Sequence, residues 1–123
     1  MNNFPRINVI GFDEYQEVSA ETDLGNIGGR QNLKPEWMYY VLGIGGETGE
    51  LLEKIKKLFR DSSGYPTMEQ KKAILNEMGD VMWYMARLCD KLGMPFSDVP
   101  KLNIEKLFSR MERKKLHGDG DER

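Results

Sequence analysis

A lone cysteine, Cys89, and a lone histidine, His117, exclude more than any other feature of this chain. One thiol cannot build an intrachain disulfide framework, and its scarcity fits a reducing cytosol. Cys89 falls on an apolar helical stripe and reads as core packing rather than as a nucleophile. The chain lacks the Cys and His ligands that zinc favours, the Glu-x-x-His helices of di-iron carboxylate bundles and the oxygen-rich loop of an EF-hand. No apolar run approaches the roughly 18 residues that span a membrane, and Met1-Asn2-Asn3-Phe4-Pro5 has no signal-peptide character, so a cytoplasmic location and no membrane partner are expected. Eighteen basic and 20 acidic side chains leave a formal net charge of −2, and no basic excess argues for a nucleic-acid partner. Strand-like alternation and internal repeats are also missing. At 123 residues the chain is expected to form one domain, 1–123, with a polar, flexible tail over about 116–123.

What is present is helical. Phe12, Tyr15 and Val18 support a short helix from Phe12 to about Thr22. Gly25, Gly28 and Gly29 then mark a connector; no full dinucleotide or P-loop pattern accompanies them. A second helix is expected from Pro35, with Glu36 in its first turn, to about Arg60, burying Val41, Ile44, Leu51, Leu52, Ile55, Leu58 and Phe59. Gly43, Gly45, Gly46 and Gly49 each cost about 1 kcal/mol in a helix relative to Ala, which points to close approach of another backbone or a ligand, or to a local break. After a loop at Asp61–Pro66, Thr67 and Gln70 form a capping box. Ile74, Met78, Val81, Met85, Leu88 and Leu92 give the third helix the cleanest apolar stripe in the chain, ending at Gly93. Ser97 or Asp98 opens a fourth helix with Leu102, Ile104, Leu107, Phe108 and Met111 on its apolar side. The fold class is therefore all-α: a four-helix-bundle-like arrangement around a central helical hairpin.

That hairpin carries the chemistry. Glu47 and Glu50 are spaced i, i+3 on one arm, and Glu77 and Asp80 repeat the spacing on the other. Both pairs lie roughly 15–17 Å from the turn at 1.5 Å rise per residue, hence at one height. Carboxylates so gathered repel one another unless a cation sits between them. From spacing alone two readings stand, a metal site and a solvated acidic face. If a metal is held, an oxygen-only set fits Mg²⁺, with Mn²⁺ as substitute. Lys54 and Lys57 continue the Glu47–Glu50 stripe, and Asn103, Lys106 and Arg110 share a face of the fourth helix. They form either a solubilising surface or a phosphate clamp. Trp37, Tyr39, Tyr40, Trp83 and Tyr84 are candidates for core, interface or a base pocket.

These segments together resemble the MazG-like nucleotide pyrophosphohydrolases of the all-α NTP pyrophosphohydrolase superfamily. The resemblance rests on Gly46-Glu47-Thr48-Gly49-Glu50-Leu51 with Lys56-Lys57, on Glu77-Met78-Gly79-Asp80-Val81-Met82-Trp83-Tyr84, on Asn103-Ile104-Glu105-Lys106-Leu107 with Arg110, and on Gly118-Asp119-Gly120-Asp121 with Arg123. It implies hydrolysis of a nucleoside triphosphate to monophosphate and pyrophosphate, serving to clear unwanted or excess nucleotides. It implies Glu47, Glu50, Glu77 and Asp80 as Mg²⁺ ligands, and Asn103, Lys106 and Arg110 as nucleotide or phosphate contacts. A homodimer or homotetramer with sites near subunit interfaces is implied too. The chain departs from the pattern at Gly46, where many relatives carry the first of two adjacent glutamates. Glu53, one turn beyond Glu50, is then either a further ligand or base, or an exposed helix charge. A competing reading from another class is a non-catalytic helical dimer that binds a nucleotide or a protein partner.

Overall fold

The computed structural model describes residues 11–24 and 35–113. The Gly25–Gly29 connector, His117 and the tail over about 116–123 lie outside the described residues. Helix α1 spans Phe12–Ala20, α2 Met38–Ser62, α3 Met68–Lys91 and α4 Asp98–Glu112, with no strand among the described residues. Helices α2 and α3 pack side by side as a long hairpin, and α1 lies against α3.

Local chemistry fixes the hairpin turn. Ser63 and Gly64 take the left-handed conformation, at φ 56° and 84°, and stop α2. A Cβ on Gly64 would lie 2.7 Å from the Phe59 ring, so the turn demands glycine on both grounds. Thr67 then starts α3. Its Oγ1 accepts from the Gln70 backbone N–H at 3.2 Å, and the Gln70 side chain accepts from the Thr67 N–H at 2.8 Å. Gln70 Nε2 also donates to Ser62 Oγ at 2.9 Å, tying the two arms together. Gly93, at φ 69°, follows the end of α3.

The start of α2 differs from expectation. Pro35–Trp37 form a separate turn before the helix, closed by Met38 N–H to the Pro35 carbonyl at 3.0 Å. Glu36 therefore does not sit in the first turn; it pairs with Lys91 of α3 at 3.0 Å.

Polar groups hold α1 in place. The Gln16 amide donates to the Met94 carbonyl and accepts from the Phe96 N–H, both at 2.9 Å. Asp13 accepts from the Ser97 backbone and hydroxyl, both at 2.9 Å, so the entry to α4 is capped from α1 rather than by its own side chain. Arg87 is 3% exposed and donates to Ser19 Oγ, the Gln16 carbonyl and Asp90. Beneath these bonds Ala86, Cys89 and Phe96 form the buried cluster, with Tyr15 and Met85 against it and the Phe12 ring edge-on to Phe96. Cys89 is thus a core residue, and burial pushes its thiol pKa up.

The apolar stripes bury less than their periodicity promises. Leu58 is buried, but Val41, Leu52 and Phe59 of α2, Met78 of α3, Leu92 just beyond it, and Leu102, Ile104, Phe108 and Met111 of α4 are exposed. Each arm of the hairpin covers only one side of the other. Among the described residues α4 does not run along the hairpin to cover the rest. No described helix is long and apolar enough to cross a membrane.

Candidate metal centre

The hairpin brings Glu47 of α2 together with Glu77 and Asp80 of α3, with one carboxylate oxygen from each within 4.8 Å of the others. Glu47 and Glu77 are half-buried and Asp80 is exposed. Partial burial, then the charges of Asp80, Glu77 and Glu50, hold the Glu47 carboxyl above the ordinary carboxylate range. The set offers oxygen alone, from both arms of the hairpin, which is the donor chemistry of a hard divalent cation.

The other candidates take distinct places. Glu50 is exposed and outside the three-carboxylate group, although its charge reaches Glu47. Glu53 pairs with Lys56 at 2.9 Å and Lys57 at 4.0 Å, and the Lys56 hydrogen bond lowers its pKa. Lys54 crosses the hairpin to Glu77, Nζ to Oε1 at 3.4 Å. Lys54 and Lys57 also line a groove of about 210 Å³ on the turn side, with Asp61 and Gln70. On α4, Asn103 is exposed, Lys106 half-buried and Arg110 only 3% exposed, on an element without broad packing against the hairpin.

A cleft of about 300 Å³ opens beside the carboxylates, lined by Thr22, Glu47, Asp80, Trp83 and Tyr84. Trp83 Nε1 donates to Thr22 Oγ1 at 2.7 Å, so the turn that follows α1 forms one wall. Trp83 and Tyr84 meet edge to face at 5.0 Å, and Tyr39 and Tyr40 extend the cluster. A Cβ on Gly43 would lie 2.2 Å from the Tyr84 ring, whereas Gly45, Gly46 and Gly49 face open space. The expected approach of another backbone or a ligand is replaced at Gly43 by the Tyr84 side chain, and of these four glycines it concerns Gly43 alone. Thr22 carries no signature of its own in the sequence; only the fold brings it to Trp83.

Crowded charge has a stability signature in metal-free protein. The folded state raises the pKa of Glu47, so its favourable contribution is complete below the ordinary carboxylate range and is lost as pH rises through the raised value. Glu47→Gln removes that loss. Without divalent cations the variant is expected to match wild type in acid and to exceed it in melting temperature at neutral pH. Melting curves across pH in EDTA would show the gap; equal melting temperatures at pH 7 would count against repulsion at Glu47.

Residues 38–114 match the MazG nucleotide pyrophosphohydrolase domain, and the chain belongs to that family. It is 37% identical over 111 residues to the Gene 37 protein of Mycobacterium phage L5, a match covering 90% of this chain and 97% of that protein. A shorter match, 46% over 44 residues, joins 36% of the chain to 42% of the uncharacterized protein YvdC of Bacillus subtilis (strain 168). No solved structure matches. The family span contains all three clustered carboxylates, Lys54 and α4.

Proposed function

We propose that the protein is a Mg²⁺-dependent nucleoside triphosphate pyrophosphohydrolase that cleaves between the α- and β-phosphates, releasing a monophosphate and pyrophosphate in nucleotide-pool clean-up. The observation that carries this reading is the convergence of Glu47, Glu77 and Asp80 within 4.8 Å on the family-matched hairpin. These residues would hold Mg²⁺, with Mn²⁺ as substitute, and Glu50 is the fourth member of the set that the family resemblance supplies. When bound, the cation neutralises triphosphate charge and acidifies a water. The chain's own part is to orient and to discriminate. Trp83 and Tyr84 line the cleft beside the carboxylates, where they would meet the base or sugar. Lys54 and Lys57 supply point charges for the phosphates. Glu53, already paired with two lysines and acidified by Lys56, is a poor proton acceptor and is better read as holding those lysines in place.

A second copy of the chain would cover the exposed apolar stripes of α2, α3 and α4, giving a homodimer or homotetramer. The reading of a non-catalytic dimer draws on the same faces and on Gly46. Metal binding separates the two. A cation that binds only the folded chain stabilises it by mass action, about 2.7 kcal/mol at a hundredfold excess over Kd. Mg²⁺ is expected to raise the melting temperature of wild type and not of Glu77→Gln. No Mg²⁺-linked shift in wild type would favour the scaffold.

A further inference from the structure

We propose that Lys54 is a resident counterion of the carboxylate centre, one that competes with the divalent cation for Glu77 and turns to substrate phosphate once the cation is in place. This rests on the metal-site reading above. Three carboxylates converge within 4.8 Å, and among the described residues the one ion pair reaching them is Lys54 Nζ to Glu77 Oε1 at 3.4 Å. The pair joins the two arms of the hairpin, whereas the neighbouring lysines Lys56 and Lys57 pair within their own helix, to Glu53. Lys54 is thus set apart from its neighbours by its partner.

Its position gives the ammonium two destinations. Lys54 stands two helical turns from Glu47 on nearly the same face, on the side nearer the hairpin turn. It touches Glu77 on one side and lines the groove with Lys57, Gln70 and Asp61 on the other. The side chain is 42% exposed, so it can reorient without disturbing packed atoms. A divalent cation drawn to Glu47, Glu77 and Asp80 takes the same Glu77 carboxylate and repels the ammonium. The groove beside Lys57 is where the displaced charge goes, and two ammoniums there form a seat for the phosphates of a bound nucleotide. Metal loading and phosphate binding would then be coupled through one side chain.

The coupling predicts opposite effects from one substitution. Lys54→Met removes a competing charge close to the cation, so Mn²⁺ binding in the absence of nucleotide is expected to tighten roughly 3- to 10-fold. The same variant loses a phosphate contact, so KM for nucleotide is expected to rise at saturating Mg²⁺. A lysine that only stabilised the hairpin would weaken both. Lys54→Arg keeps the charge and should restore wild-type Mn²⁺ affinity. Mn²⁺ titration followed by electron paramagnetic resonance, with circular dichroism to check helicity, reads the first effect without turnover. Mn²⁺ affinity in Lys54→Met equal to or weaker than wild type would overturn the counterion role and leave the metal site standing. Absence of Mn²⁺ binding in wild type itself would overturn both.

Discussion

Asp80→Asn and Glu77→Gln are each expected to lower kcat/KM by more than about 100-fold while the helices stay intact. Loss of a group that merely orients a metal ligand costs 10- to 100-fold, and these carboxylates are proposed to touch the cation themselves. Neither change alters side-chain size; Asp80→Asn relieves charge repulsion in a group packed within 4.8 Å, whereas Glu77→Gln also gives up the ion pair with Lys54. In Asp80→Asn activity and metal-free stability should therefore move in opposite directions, a common signature of residues kept for function rather than for folding. Steady-state kinetics and melting in EDTA measure the two sides. Turnover within tenfold of wild type in either variant would remove that residue from the site.

The largest expected loss of stability lies away from the carboxylates. Arg87→Ala should cost about 3 kcal/mol, because it removes charge-assisted hydrogen bonds to the buried Gln16 carbonyl and Ser19 hydroxyl, which keep the bond from Ser19 Oγ to the Gln16 carbonyl. Those groups join α1 to α3, and α1 carries Thr22 to the wall of the cleft, so nucleotide affinity should fall with stability. Arg60→Ala makes the contrast: its pair with Asp61 is solvent-exposed on both sides, and no measurable change is expected. Urea unfolding of the two variants tests this; similar midpoints for both would show that the Arg87 network does not anchor α1.

The sequence read the hairpin well because every signal there is local. The capping box at Thr67 and Gln70 and the terminating Gly93 each depend on a few neighbouring residues, and both stand as expected. The four-helix reading holds among the described residues for the same reason. What resisted reading depends on which side of a helix faces which neighbour. Glu47 and Glu50 lie about 60° apart around α2, so helix spacing alone could not say that one would join the α3 carboxylates and the other remain outside. The apolar residues of α4 follow helical period, yet the described chain gives them nothing broad to pack on. Long-range polar ties such as Gln16 to Phe96 and Arg87 to Ser19 leave no periodic trace, so the docking of α1 emerged only from the structure. The same holds for Lys54. Its place on the acidic stripe was legible, but its partner across the hairpin was not.

Turnover with product identification tests the central claim most directly. Purified protein incubated with Mg²⁺ and each ribo- and deoxyribonucleoside triphosphate should release monophosphate and pyrophosphate from at least one of them. That activity should vanish in EDTA and in Asp80→Asn. Diphosphate with inorganic phosphate would place the cleavage at the wrong bond and contradict the account.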